Sequence, residues 1–321
     1  MKTPRAVIIS DVHYNIHTLE LADKAVNLAV KRANKLNVPL IIAGDLHDTK
    51  ANLRGECVNV ILRAFKASTT RIYLVVGNHD RLNEKAPAHA LNFLAPFCII
   101  ADYGMECSRI PNTYLIPYYH DAEELRAYLK TLPAGSTLIM HQGIQGSDMG
   151  DYIQDKSAIS KEDVAGFRVI SGHYHNRQTI ALPSGGTWDY IGNPYTLSYG
   201  EANDLPKGFQ VLYSDGSLEF IPTNLRKHIA HELEYSPALS LMNTSEDLVW
   251  VKITGTKEQL AMVDKKDFKG CRLDLIPLST SVGIDSPKKL LQPDMLDYFI
   301  DNLSNTSDDK KTRIKKLWRG L

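Results

Sequence analysis

The sequence predicts an α/β protein whose sheet is covered by helices. Three observations predict it. Short apolar runs alternate with segments of helical period through the first half. Several of those runs stop abruptly at Asp, His or Asn, as "LVVGNHD" does over Leu74–Asp80. The 321 residues are 43% apolar and 23% charged, which suits a water-soluble globular chain with one large domain and a smaller one.

Along the chain, Ala6–Ser10 reads first as a strand. Thr18–Leu36 reads as a helix, because Leu21, Ala25, Leu28, Ala29 and Ala33 recur near i, i+3, i+4 spacing. Leu40–Ala43 is a strand, Glu56–Ala67 a helix and Ile72–Val76 a strand. Beyond Phe97 the strands come faster, at Cys98–Ala101, Thr113–Ile116, Thr137–Met140 and Val169–Ser171. A helix over Asp121–Lys130 has Pro133 past its end. Residues 179–222 read as successive strands, with turn signals at "PSGG" and "SDGS" and a hairpin in "GFQVLYSDGSLEFI". After about Leu225 the character changes. "DLVWVKITG" is a strand, "TKEQLAMVD" a short helix capped by Thr256 with Gln259 in the capping-box position, and "CRLDLIPL" a strand. The expected organisation is a main domain over 1–224, a small α+β domain over 225–285, and a C-terminal segment over 286–321. That last segment holds a helix at Gln292–Leu303 and the tail "DDKKTRIKKLWRGL".

Lys and Arg together number 37, as do Asp and Glu. Contact with a polyanion must therefore come from a local patch or from bound metal. Cys57, Cys98, Cys107 and Cys271 have neither metal-ligand spacing nor a disulfide framework, which fits a reduced, cytoplasmic compartment. The N-terminus enters a strand without signal-peptide architecture, and no apolar run approaches the roughly 20 residues of a membrane span.

Five strand ends carry the chemistry. "AVIISDVH" delivers Asp11 and His13, "PLIIAGDLHD" Asp45, "LVVGNHD" Asn78, "TLIMHQG" His141, and "FRVISGHYH" His173 and His175. One such turn is ordinary. Five in order, at the edge where sites collect in open α/β sheets, point to a shared site. Imidazole, carboxylate and amide donors without thiolate suit manganese, iron or zinc and argue against a closed structural zinc site. Seven donors exceed what one octahedral ion can take while leaving room for substrate. Two ions sharing a carboxylate can use them, and such pairs, about 3.5–4 Å apart, serve displacement at phosphorus. His79 is left over and is assigned to general acid catalysis or to stabilising transition-state charge. Asp48 joins it as the hydrogen-bond partner of a ligand histidine. His17, His47, His89, His120, His228 and His231 receive no metal role.

These residues resemble the signature of calcineurin-like metallophosphoesterases: Asp11-Val12-His13, Gly44-Asp45, Gly77-Asn78-His79-Asp80, His141, then Gly172-His173-Tyr174-His175. Within that family the chain looks like an SbcD-type nuclease, of the Mre–Rad repair complexes and phage recombination endonucleases. "GDLHD", "HQGI", "AGFRVISGHYH", "YIGNPYTLSYGE" and "VWVKITGTKEQL" carry this likeness. His47 stands where an aromatic is usual and Asn193 where serine is usual. "GDLHDTK" and "GNHD" differ from the Ser/Thr phosphatase branch.

The resemblance implies a four-layer αββα sandwich with a capping domain. It implies one ion on Asp11, His13, Asp45 and His175, another on Asp45, Asn78, His141 and His173, and Asp45 as the bridge. It also implies manganese as the working ion (magnesium, iron or zinc being compatible), a homodimer, DNA as substrate, and an SbcC/Rad-type coiled-coil ATPase partner held by the segment after the cap. The tail allows three readings: a partner-binding helix, a phosphate contact, or a solvated end. The leading functional expectation is a dinuclear-metal DNA nuclease in break processing, recombination and replication. The alternatives are a small-molecule or cyclic-nucleotide phosphodiesterase or phosphatase on the same scaffold, and a scaffold without turnover.

Overall fold

The structure, a computed structural model, describes residues 2–50, 52–83, 88–148 and 159–278. Two six-stranded mixed sheets dominate it. The first is built from β1 (Pro4–Ile9), β2 (Leu40–Ala43), β3 (Ile72–Val75), β4 (Ile99–Ala101), β11 (Gly208–Tyr213) and β12 (Leu218–Pro222), in the order β12-β11-β1-β2-β3-β4. β1, β2, β3 and β4 run parallel, in register Val7↔Leu40, Leu40↔Ile72 and Tyr73↔Ile99. Their carboxyl ends therefore lie side by side. β11 and β12 form the expected antiparallel hairpin.

The second sheet contains β5 (Met105–Glu106), β6 (Thr113–Ile116), β7 (Thr137–His141), β8 (Arg168–Gly172), β9 (Gln178–Ala181) and β10 (Thr187–Tyr190), ordered β5-β6-β7-β8-β10-β9. β6, β7, β8 and β10 are parallel. The central strands of both sheets are buried along nearly their whole length, which explains their unbroken apolar character in the sequence.

Period-2 alternation sends residues of each sheet to opposite faces. Ile8, Ile41, Tyr73 and Val75 of the first sheet meet Leu115, Ile139 and Ile170 of the second in a fully buried middle layer. The outward residues Val7, Ile9, Leu40, Ile42 and Leu74 pack with α1 (Leu19–Leu36) and α2 (Gly55–Lys66). On the far side, Leu138, Met140, Val169 and Trp188 pack with Leu125 and Leu129 of α3 (Ala122–Leu129). The layers are thus α, β, β, α, as expected.

The helix pattern needed one adjustment. The buried stripe of α1 runs through Ala22, Ala25, Val26, Ala29 and Ala33, and Leu28 is 38% exposed. At 100° per residue Leu28 lies well off the centre of that stripe, so its hydrophobicity alone was misleading.

After the second sheet, β13 (His228–Glu234), β14 (Leu248–Gly255) and β15 (Cys271–Pro277) form a three-stranded sheet ordered β13-β14-β15. α4 (Lys257–Ala261) begins at Thr256, whose hydroxyl accepts from Gln259 N while the Gln259 side chain accepts from Thr256 N, a complete capping box. By compactness the described chain falls into two units. The larger holds both six-stranded sheets, Ala238–Lys252 and Asp264–Asp274, and the smaller holds Glu234–Pro237, Ile253–Val263 and 275–278. The helix expected at Gln292–Leu303 and the basic tail lie outside the described residues. All four cysteines are free thiols, and among the described residues no helix is long and apolar enough to cross a membrane.

Candidate metal centre

The carboxyl ends of β1, β2, β3, β7 and β8 converge, and all seven expected donors converge with them. The loops after β1 and β2 run together through backbone hydrogen bonds from Asp11, His13 and Tyr14 to Gly44, Asp45 and Leu46. Two contacts tie the second sheet to the first at this rim. His141 Nδ1 donates to the Ala43 carbonyl at 2.8 Å. His173 N donates to both oxygens of Asp11, at 3.0 and 3.2 Å.

Aiming these side chains inward takes unusual backbone. Asp11, His13, Asp45 and His173 all have positive φ, at 52°, 48°, 50° and 99°. Each such residue costs of order 1–3 kcal/mol. Two glycines meet a second constraint. A Cβ on Gly44, itself at φ 91°, would collide with the His141 ring, and one on Gly77 would collide with the Asp45 carboxylate.

The donor atoms form overlapping groups. One ligand atom each from Asp11, His13 and His175 lies within 4.8 Å of the others, and so do those of Asp11, Asp45 and His141. Asp45 Oδ2 is 3.2 Å from His141 Nε2 and 3.7 Å from His13 Nε2, so one oxygen faces both. Asn78 Oδ1 sits between His141 Nε2 (3.1 Å) and His173 Nδ1 (3.0 Å). Asp11 is common to both groups and Asp45 reaches across them.

The fit to bound cations rests on which nitrogens remain. His141 Nδ1 is spent on Ala43, and His175 Nδ1 pairs with Glu201 at 2.7 Å. The remaining Nε2 atoms of His13 and His175 face each other at 3.1 Å. Both nitrogens thus point into the same space at the rim. The donor set, inward-facing imidazole nitrogens with carboxylate and amide oxygens, is that of a divalent-metal site.

Electrostatics show the same demand. Burial alone would raise the Asp45 pKa, but the imidazoles of His141, His13 and His79 drive it far below the carboxylate range. Burial would lower His141, yet Asp45 lifts it to about 9. His173, buried and beside His141, falls to about 4. A carboxylate fully out of water must have compensating positive charge close by.

His79 lies at this rim without taking a place among the seven. Its backbone N donates to Asp45 Oδ1 at 2.9 Å, and its Nδ1 bonds the Asp48 carbonyl at 2.8 Å, which leaves Nε2 uncommitted by that pairing. Its ring stands edge-on to His13, with centroids 4.8 Å apart. The Asp48 carboxylate is 3.4 Å from His13 Nδ1 and 3.3 Å from Asn15 Nδ2.

Three contributors had no role in the sequence reading. Glu201 orients His175, accepts from Asn193 Nδ2 and Leu197 N, and lies 3.4 Å from Lys207 Nζ. Burial would raise its pKa, but these partners hold it down at about 2. "YGE" was visible as a phrase, yet 26 residues of chain separate Glu201 from the histidine it serves. Asp80, wholly buried, accepts from Gly77 N and His47 N and ties the third loop to the second; burial and nearby Asp45 push it up to about 7. Ser10 Oγ donates to Asp11 Oδ2 at 2.6 Å and also lies 2.8 Å from the Ala43 carbonyl.

The crowding around Asp45 and the support behind His175 can each be tested. Gly77→Ala will lose metal in elemental analysis while keeping a folded far-UV spectrum, because the new methyl displaces the Asp45 carboxylate. Glu201→Gln will weaken divalent-metal binding by about 10–100-fold in a titration. In chelator-treated protein Glu201 has a depressed folded pKa. Its contribution is therefore present above the unfolded value of 4.5 and lost as pH falls towards about 2. That contribution is of order 3 kcal/mol, so urea melts between pH 5 and pH 3 will show the wild type losing stability more steeply than the variant.

Comparison with known proteins accords with this geometry. The model of the calcineurin-like phosphoesterase family matches residues 4–193. No curated protein matches the chain. Among solved structures, a dimetal phosphatase from Danio rerio is similar at 12% identity and a TM-score of 0.42, over 65% of this chain and 91% of that one. The family match covers the second sheet, the four parallel strands of the first and every one of the converging donors, so the chain belongs to the calcineurin-like phosphoesterases, a family of metal-dependent hydrolases with a dinuclear divalent-metal site.

Proposed function

We propose that the protein is a metal-dependent DNA nuclease. The observation that carries the reading is the rim itself: seven donors with Asp45 among them, and His79 beside them, bound by its Nδ1 to the Asp48 carbonyl. When bound, two divalent ions supply a water of lowered pKa and charge for the phosphoryl oxygens. Asp11, His13, Asp45, Asn78, His141, His173 and His175 would hold them. His79, oriented through its backbone N and Nδ1, presents Nε2 to the departing oxygen and gives it a proton. Asp48 keeps both His79 and His13 in place, through its carbonyl and its carboxylate.

An aromatic and basic patch involving β14 favours DNA as the substrate. Trp250 of that strand carries Lys252 Nζ 4.2 Å and the Arg272 guanidinium 4.4 Å from its ring centre, and Tyr199 packs edge-on at 5.3 Å. Aromatic rings with cations beside them suit a polymer with phosphates and bases; Lys252 and Arg272 also pair with Glu232 at 2.8 Å and Asp274 at 3.2 Å, so it is the ring faces rather than net charge that the patch offers. Manganese as working ion, a homodimer and a coiled-coil ATPase partner belong to the same proposal and rest on the sequence resemblance.

The test incubates purified protein and manganese with linear duplex DNA, single-stranded circles and methyl p-nitrophenyl phosphate. Cleavage of DNA is expected; turnover of the small ester with DNA left intact would replace the nuclease reading by a small-molecule phosphodiesterase. His79→Ala should retain metal by elemental analysis and lose about 10²–10⁴-fold in turnover. A parallel loss of metal would remove His79 from the acid role.

A further inference from the structure

At the end of the first sheet opposite the metal centre, where β1, β2 and β3 begin, lies a cavity of about 310 Å³. Arg5, Arg71 and Arg109 line it, together with Asn37, Thr69 and Thr70. Among the described residues its lining holds no carboxylate and no aromatic ring. The three arginines are exposed, and among the described residues their guanidinium groups have neither an ion pair nor a hydrogen bond. Six other arginines, Arg32, Arg54, Arg63, Arg126, Arg168 and Arg272, each reach a carboxylate. In a chain of zero net charge, three unpaired guanidinium groups around one hollow are an uncompensated local excess of positive charge.

The arginines come from separate parts of the chain, each held by its backbone. β1 loses register with β11 between Pro4 and Ala6, so Arg5 is an extra residue outside the ladder. A bulge of this kind re-aims a side chain. Arg71 immediately precedes β3, and its carbonyl accepts from Leu40 N. Arg109 lies between β5 and β6, beside Ser108, whose hydroxyl pairs with that of Tyr73 at 2.7 Å. Asn34 joins the ends of α1 and α2: its Nδ2 donates to the Ala67 carbonyl and its Oδ1 accepts from Thr69 N. The Ala33 and Asn34 carbonyls that end α1 accept from Val38 N and Asn37 N, which offsets the negative end of that helix.

We propose that this cavity binds the diphosphate or triphosphate group of a small anion, at a site separate from the metal centre. Guanidinium groups present forked donors that match phosphate oxygens in pairs. Three of them, from three segments, suit several linked tetrahedral groups better than one flat carboxylate, which a single arginine would satisfy. Thr69 and Thr70 add hydroxyl donors. With no aromatic ring in the lining to stack on a base, the phosphates themselves supply the recognition. β1 has six residues and runs from this cavity towards the rim, a span of roughly 20 Å. A phosphate held here is therefore not the one cleaved there, and the site does not depend on the nuclease reading.

The experiment titrates pyrophosphate, ATP and adenosine into the full metal-loaded chain at physiological ionic strength, with calorimetry as readout. Any phosphate taken up at the metal centre is common to wild type and variants, so the difference between them reads this cavity. Arg71→Gln and Arg109→Gln are each expected to weaken pyrophosphate binding about three- to tenfold. The combined variant Arg5→Gln, Arg71→Gln, Arg109→Gln is expected to lose the site altogether. Arg71→Lys keeps the charge without the fork and should also bind more weakly than wild type. Because these side chains are exposed, metal content and far-UV spectrum should stay as in the wild type. Pyrophosphate and ATP binding alike, with no heat from adenosine, supports the site with the phosphate chain as the whole ligand. Tighter binding of ATP supports it with a nucleotide as the source. Equal pyrophosphate binding by wild type and the combined variant would overturn the proposal. So would a combined variant that loses affinity for a duplex oligonucleotide alone, which would assign the arginines to nucleic acid.

Discussion

A single buried carboxylate, that of Asp45, sets the terms for the structure around it. It sits 2% exposed with one oxygen facing His141 and His13 and the other accepting from the His79 backbone. A lone anion in such a place would take up a proton rather than stay charged. Here it stays charged because imidazoles surround it, and because the site is built to receive cations. The loops that approach it must leave space, which is why the residues before Asp45 and Asn78 have no side chain. Gly44 keeps clear of His141, and Gly77 keeps clear of Asp45 itself.

The scaffold absorbs the strain this creates. Four of the seven donors adopt left-handed backbone, a conformation their residue types reach at a cost. They sit at the ends of strands whose residues are buried on both faces, in a middle layer where Ile8, Ile41, Tyr73 and Val75 pack against Leu115, Ile139 and Ile170. Close packing of that kind resists relaxation. Outside the donors, Ser10, Asp80, Glu201 and the Ala43 carbonyl occupy the second atom of a ligand or the amides of its loop. The groups they hold are thereby left one orientation.

The two sheets divide the work. Adjacent parallel strands of the first supply Asp11, His13, Asp45 and Asn78, so four donors arrive from three neighbouring loops. The second sheet brings His141, His173 and His175 from β7 and β8, also adjacent and parallel. Stacking the sheets with these edges together closes the ring of donors, and the hydrogen bonds from His141 and His173 across the gap hold the register.

What could be read directly was local. Period and composition located β1, α1, β2, α2 and β3 to within about two residues, because each is a self-contained apolar pattern with its own stop. The seven donors were visible because strand ends are abrupt and their polar residues differ sharply from what precedes them. Even the capping box at Thr256 and Gln259 was legible, since its partners lie three residues apart. Tertiary structure decided what depends on distance in space. That Asp11 stands among both groups of donors, that Glu201 serves His175, and that Asp80 locks two loops together are facts of how separate strand ends meet. Their partners are 26 to 162 residues apart or share only a loop conformation. Leu28 shows the converse: its hydrophobicity suggested burial, but only the direction from which the sheet approaches the helix determines which stripe is covered.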